Sequence, residues 1–106
     1  MSHSGTLVSL RNLLYFECMR RGYVIGDPPR PNVKELHRRI LKSGANIHQT
    51  SLSRIFRLDR PENGEEYNPS AGLKKALCQW LSVDEIELMT MWNNAPEAPL
   101  PPDYKG

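Results

Sequence analysis

The chain has 106 residues, of which 39% are hydrophobic and 25% charged, and its formal net charge is +2 at pH 7. These values are typical of one soluble globular domain with a modest core, and no apolar run approaches the length of a membrane span. The first ten residues lack the basic start and long apolar centre of a signal peptide, so we expect a cytoplasmic protein.

The first predicted helix covers residues 6–21, where the apolar residues form a broad face. Ser4 or Thr6 can cap this helix, and Gly22 ends it. Residues 22–32 contain three prolines and two glycines, which exclude a continuous helix or a central strand. Three apolar residues of this loop are expected to pack onto the core: Tyr23, Val24 and Ile25.

A second helix is predicted over residues 32–43, where Asn32 and Glu35 have capping-box spacing. Its inward stripe consists of Val33, Leu36, Ile40 and Leu41. Residues 43–46 contain Gly44 and form a tight connection to the next helix. Two short helices joined through a glycine-containing turn are the helix-turn-helix arrangement.

Residues 47–61 predict an amphipathic third helix with one apolar and one polar face. Its inward stripe, at the i, i+3, i+4 spacing of a core-facing helix, is Leu52, Ile55 and Phe56. The opposite side carries hydroxyls and guanidiniums and no acid: Thr50, Ser53, Arg54 and Arg57. Asn46 and Gln49 are spaced as an N-terminal cap with its partner. Taken alone, the segment fits a DNA-reading helix and an ordinary surface helix equally well.

The basic residues are concentrated around these two helices. Between residues 33 and 60 there are seven bases and two acids, a local charge of +5 in a chain of total charge +2. The bases are Lys34, Arg38, Arg39, Lys42, Arg54, Arg57 and Arg60. Such a block indicates a local polyanion-binding surface, although a solvated charged face has the same composition.

The remaining segments predict two more helices and a tail. Residues 58–69 are a polar loop whose three glutamates would be repelled by phosphate, so we place it beside the binding surface. A fourth helix is predicted over residues 70–81. Ser82, with Glu85 three residues on, is predicted to cap a fifth helix that runs to about Trp92. The proline-rich residues after it are expected to be disordered or polyproline-like.

Residues 47–61 and 69–89 resemble the phage-repressor and Cro-like helix-turn-helix proteins of the Xre family. The matching residues are Ile47, Leu52, Ser53, Arg54, Ile55, Arg60 and Pro61, then Pro69, Ser70, Leu73, Leu81, Val83, Asp84, Glu85 and Ile86. The resemblance covers about residues 32–89. It implies an all-α, five-helix lambda-repressor-like helix-turn-helix domain over residues 1–92, with a disordered proline-rich tail at 93–106.

The resemblance also assigns roles to side chains of the third helix. Those expected to contact DNA bases are Gln49, Thr50, Ser53 and Arg54. Those expected to contact phosphates, some by resemblance and others on charge or position, are Arg38, Arg39, Lys42, His48, Ser51, Arg57 and Arg60. Arginine suits both roles because its donor fork fits guanine edges and phosphates.

The leading hypothesis is a sequence-specific double-stranded DNA-binding protein, a nucleoid-associated transcriptional regulator of a bacterium or phage. It would repress by occupying a palindromic operator. The alternative is a protein–protein interaction module, such as an antitoxin or a phage-encoded inhibitor of a host factor. An enzyme is not expected, because His37 and His48 have no matching Cys or carboxylate cluster.

Neither a metal nor a cofactor is expected. Cys18 and Cys78 have no metal-ligand partner at close spacing, and we interpret both as buried thiols in preference to a disulfide or redox switch. The seven glycines are scattered and form no phosphate-cradling loop.

The fifth helix predicts a homodimer. Its apolar residues do not fit a single stripe, whereas a helix that closes a monomer needs only one apolar face. The surplus would form an exposed hydrophobic patch, which usually marks an interface. We assign the interface to Leu88, Met89, Met91 and Trp92. The competing explanation is that the first helix or the loop at residues 23–25 covers the second face within one chain.

Overall fold

The computed structural model describes residues 6–58 and 69–99, and within them five α-helices enclose one hydrophobic core. The helices are α1 (Leu7–Arg21), α2 (Val33–Lys42), α3 (Gln49–Arg57), α4 (Ala71–Leu81) and α5 (Glu85–Asn93). Between α1 and α2, the strands β1 (Val24–Ile25) and β2 (Arg30–Pro31) pair as an antiparallel ribbon. The expected all-α class is therefore confirmed, with a small ribbon added.

The first helix is the centre of this arrangement. α1 packs against α3, α5 and β2, and Leu10, Leu14 and Cys18 are completely buried within it. Thr6 caps the helix, because its side chain accepts a hydrogen bond from the Ser9 amide at 3.0 Å. Gly22 ends it in the left-handed conformation, as predicted. The broad apolar face is thus explained by packing on several sides.

The last helix, α5, closes onto α1 of the same chain. Leu88 and Trp92 are buried, and the Trp92 ring nitrogen donates to the backbone oxygen of Thr6 at 2.9 Å. Placing these two side chains at a dimer interface assumed that they were exposed, and that assumption is wrong because both are buried within the chain, where α5 packs against α1 and α4. Met89 and Met91 are half-buried. The dimer itself stays a prediction.

Several polar residues of α1 are also buried, a feature that sequence analysis did not assign. The Glu17 carboxylate accepts hydrogen bonds from Arg20 at 2.6 Å and Arg21 at 3.0 Å. Arg11 is only 5% exposed and lies 5.4 Å from the centre of the Tyr15 ring. In the part of the chain that the structure describes, Nε and Nη1 of Arg11 have no hydrogen-bond partner. Burial lowers the pKa of Arg11 accordingly.

Two predicted helix starts are wrong. Ser82 ends α4 in the left-handed conformation, and Asp84 caps α5 by accepting a hydrogen bond from the Glu87 amide at 2.7 Å. Asn46 does not cap α3, because the connection is longer than predicted and the helix begins after His48. The predicted cap of α2 is confirmed, since Asn32 accepts from the Glu35 amide at 3.2 Å.

Two apolar residues expected in the core lie at the surface. Ile25 is 50% exposed, and of the three loop residues expected on the core only Tyr23 is among the side chains that pack against it. Leu41 is 42% exposed. It lies about 100° around the helix from Ile40, which places it beyond the stripe that faces the core.

Some sequence predictions lie outside the described residues. They concern Ser4, Arg60, the acidic residues of the loop at 59–68 and the tail from residue 100. Residues 94–99 form neither helix nor strand. No helix within residues 6–58 or 69–99 is long and apolar enough to cross a membrane.

Both cysteines are free: Cys18 is buried and Cys78 is half-buried. Burial raises the pKa of Cys18 to about 12, so this side chain is a neutral thiol at neutral pH. Burial also raises the pKa of Cys78. The expectation of a buried thiol is confirmed for Cys18, whereas Cys78 is only partly buried and packs against the edge of the core.

Candidate nucleic-acid interface

The candidate interface is formed by α2 and α3, which are consecutive in the chain and pack directly on each other. Leu36 and Ile40 of α2 and Leu52 and Ile55 of α3 are all buried in the common core. Each helix is thereby fixed in rotation about its own axis. Its polar side chains must consequently lie on the faces directed away from the core.

The outward face of α3 contains hydroxyl and guanidinium groups. Thr50, Ser51, Arg54 and Arg57 are all exposed, whereas Gln49 and Ser53 are half-buried at the edge of this face. The helix contains no acidic residue. The sequence-predicted base contacts therefore divide into two accessible side chains, Thr50 and Arg54, and two that present only part of their surface.

The N-terminus of α3 differs from that of its neighbours. The other helices are capped by side chains of Thr6, Asn32, Ser70 and Asp84. His48 occupies the N-cap of α3 and makes no side-chain cap hydrogen bond. Amide hydrogens in the first turn are thus not taken by a cap, and the positive end of the helix dipole favours a nearby anion.

The outward face of α2 adds further positive charge. Lys34, Arg38 and Lys42 are exposed on it, and Arg39 is exposed at its side. With Arg54 and Arg57, the described residues of 33–58 carry six exposed bases against one acid, Glu35. Six of the seven bases in the predicted charge block are therefore exposed on these two helices; the seventh, Arg60, lies outside the described residues.

Glu35, the one acid among the described residues of this block, binds two of its arginines. Arg38 donates from Nη2 to both carboxylate oxygens of Glu35, at 2.8 and 2.9 Å, and Arg39 donates from Nε at 2.6 Å. Hydrogen bonds from Arg38 and then from Arg39 lower the pKa of Glu35. Arg39 also lies over the Tyr23 ring, 5.2 Å from its centre. The i, i+3 and i, i+4 spacing signals such pairs, but sequence analysis had not used it.

The connection between α2 and α3 spans residues 43–48 and is held by side chains from two helices. Gln79 of α4 donates from Nε2 to the backbone oxygen of Ser43 at 2.9 Å. His37 of α2 lies 2.8 Å, through Nε2, from the backbone oxygen of Ile47. Ala45 is buried between these two points. Sequence analysis gave neither His37 nor Gln79 this role.

No group of three or more metal-ligating side chains is present in residues 6–58 and 69–99. Comparison of the chain with protein-family models, curated proteins and solved structures found no match.

Proposed function

We propose that the chain is a sequence-specific double-stranded DNA-binding protein, in which α2 and α3 form a helix-turn-helix and α3 enters the major groove. The observation that supports this most is the outward face of α3. It combines Thr50, Ser51, Arg54 and Arg57, all exposed, with no acid in the helix. A face of this kind offers donors to base edges and phosphates and nothing that repels a polyanion.

The side chains divide into two roles under this proposal. Arg54 and Thr50 read base edges, with Gln49 and Ser53 contributing from the edge of the face. Phosphate contacts come from the surrounding groups: Arg38, Arg39, Lys42, His48, Ser51, Arg57 and Arg60. Each phosphate neutralised by such a group releases condensed counterions, so binding should weaken steeply with salt, with a slope of about −0.9 for each contact.

We also propose that the protein binds as a homodimer and represses transcription by occupying a palindromic operator. Helix-turn-helix dimers contact two half-sites about one helical turn apart. On α5 the surface available for a partner includes Ile86, which is 78% exposed, and the half-buried Met89 and Met91. The buried Leu88 and Trp92 are left out of this interface.

Sedimentation at micromolar concentration tests the dimer. Ile86→Glu introduces a charge at an exposed position and should convert a wild-type dimer into a monomer without unfolding it. Ala71→Glu, at an exposed position that begins α4, makes the same charge change away from α5 and should leave the dimer intact. A wild-type monomer, or an Ile86→Glu variant that dimerises like the wild type, contradicts the assignment.

Selection of bound sequences from a random pool of duplex DNA tests the function itself. We expect enrichment of an inverted repeat whose half-sites are about one helical turn apart. We also expect retention on random DNA at low salt that is lost as salt increases. No enrichment and no salt-dependent retention would contradict DNA binding and favour a protein-binding module.

A further inference from the structure

The connection at residues 43–48 determines where α3 begins, and two side chains from outside it bind its two ends. We propose that His37 and Gln79 are positioning residues that set the orientation of α3 and thereby the sequence selectivity of DNA binding. This inference rests on the proposed function. It concerns two residues that would touch no DNA, since they bind the backbone of the connection.

The first contact, between His37 and Ile47, determines which ring nitrogen of His37 carries a hydrogen. The backbone oxygen of Ile47 can only accept a hydrogen bond, so Nε2 of His37, 2.8 Å away, must carry the hydrogen. His37 is half-buried, and Ile47 packs against the core beside it. The bond therefore joins the middle of α2 to the residue that precedes the N-cap of α3.

The second contact secures the other end of the connection. The amide nitrogen of Gln79 donates to the backbone oxygen of Ser43, directly after α2. Gly44 follows with φ near +97°, and a Cβ atom there would lie 2.8 Å from the same amide nitrogen. The glycine thus leaves space for Gln79 to approach the backbone, and the connection is held from α4 as well as from α2.

We infer that these two bonds, rather than a side-chain cap, hold the start of α3 in place. A cap usually fixes the first turn of a helix, but α3 has none, and its first residues include the candidate DNA contacts Gln49, Thr50 and Ser51. A helix placed by contacts outside its first turn keeps that turn available for DNA. Loss of either contact should allow α3 to shift, which disturbs base contacts more than the less directional phosphate contacts.

The first experiment needs no DNA. Amide hydrogen exchange in the free protein should be about tenfold faster at residues 51–53 in His37→Phe and Gln79→Glu, because these amides form the first hydrogen bonds of α3 and a lost contact loosens its first turn. Exchange in α1 should be unchanged, and His37→Gln, which restores a donor near the Nε2 position, should keep these amides protected. Unchanged exchange at residues 51–53 in both variants overturns the positioning role whether or not the protein binds DNA.

The second experiment measures the ratio of affinities for the selected duplex and for a random duplex. We expect His37→Phe and Gln79→Glu each to lower this ratio about tenfold, and His37→Gln to recover most of it. Asn94→Asp is a matched control for Gln79→Glu. It makes the same amide-to-carboxylate change at a donor on the end of α5, and it should leave the ratio at the wild-type value.

The outcomes separate the two proposals. An unchanged ratio in both variants, or an equal loss in Asn94→Asp and Gln79→Glu, contradicts the selectivity role of these residues. A wild-type protein that selects no sequence contradicts the proposed function and the selectivity claim that rests on it. The exchange experiment would still decide whether His37 and Gln79 position α3.

The contact of His37 has a test of its own. Nitrogen chemical shifts of the His37 ring must show a protonated Nε2.

Discussion

The junction of α1 with α5 and the pair formed by α2 and α3 are built on different principles. At the first, Trp92 is 1% exposed and donates to the Thr6 backbone, so burial and one directed bond join the two ends of the described chain. At the second, burial fixes only the inner side of each helix. The outer side carries six exposed bases, and Glu35 is the one acid among them.

The difference shows which parts of the molecule are needed for stability and which remain available for function. Apolar burial is the dominant favourable term in folding, and exposed ion pairs contribute little to stability. Substitutions at the α1–α5 junction should therefore unfold the protein. Substitutions on the outward faces of α2 and α3 should instead change binding.

The largest effect is expected at the junction. Trp92→Ala removes a large buried ring and its hydrogen bond to Thr6, so the free energy of unfolding should fall by about 3–5 kcal/mol. Glu87→Ala, at an exposed position of the same helix outside the proposed dimer contact, should change it by less than about 0.5 kcal/mol. Urea denaturation of both variants is the measurement. Equal losses would mean that the two sides of α5 do not differ as described.

A smaller effect is expected in the connection between α2 and α3. Gly44→Ala places a side chain at positive φ and against Gln79, so it should lower the free energy of unfolding by about 1–2 kcal/mol. Gly72→Ala is the control, because a Cβ atom added at this helical glycine would meet only Ser70 Oγ, at 4.0 Å. That change should stabilise the protein by about 0.5–1 kcal/mol. The same sign in both variants would contradict this account.

Substitution of Glu35 should have the smallest effect on the free energy of unfolding, and it should increase the affinity for DNA. Glu35→Gln releases Arg38 and Arg39 for phosphate, so affinity for random duplex should increase about two- to tenfold, with a steeper salt dependence. Glu87→Gln makes the same charge change on α5 and should alter affinity less. A decrease in affinity would mean that Glu35 instead holds the arginines in their binding positions.

The pH dependence of these ion pairs has a defined sign. Arg38 first, and then Arg39, lowers the pKa of Glu35 in the folded protein. The stabilisation from these pairs is therefore fully present above the pKa of a free glutamate. It is lost as the pH falls through the lowered value. In Glu35→Gln this part of the acid dependence of unfolding should be absent.

Much of the fold could be predicted from the sequence because its signals are local. The apolar spacing predicted five helices. Thr6 and Asn32 are caps that lie three residues before the amides they bind, and Gly22 is a local signal for the end of a helix. Whether the second apolar face of α5 is buried or exposed could not be predicted, because this depends on which other element packs on it. Sequence analysis left α1 as one of two answers; in the structure α5 packs against both α1 and α4, and Leu88 and Trp92 are buried.

The residues on the surface of the candidate interface could be predicted from the sequence, but the hydrogen bonds that hold the α2–α3 connection could not. Amphipathic spacing indicated the exposed face of α3, and charge counting indicated the basic surface of α2. The bond between His37 and Ile47 spans ten residues, and that between Gln79 and Ser43 spans 36. Contacts at such separations depend on how helices pack, which no local pattern encodes. The start of α3 was misplaced for the same reason.

The measurement that tests the account most directly compares Arg54→Ala with Arg30→Ala on the selected duplex and on random duplex. Arg54 lies on the outward face of α3, whereas Arg30 is an exposed arginine of the β-ribbon. Loss of a good base contact is worth about 1–3 kcal/mol, so Arg54→Ala should weaken binding to the selected duplex about 5- to 150-fold more than to random DNA. Arg30→Ala should affect both duplexes equally and weakly. An equal loss on both duplexes for Arg54→Ala would contradict the claim that α3 reads DNA sequence.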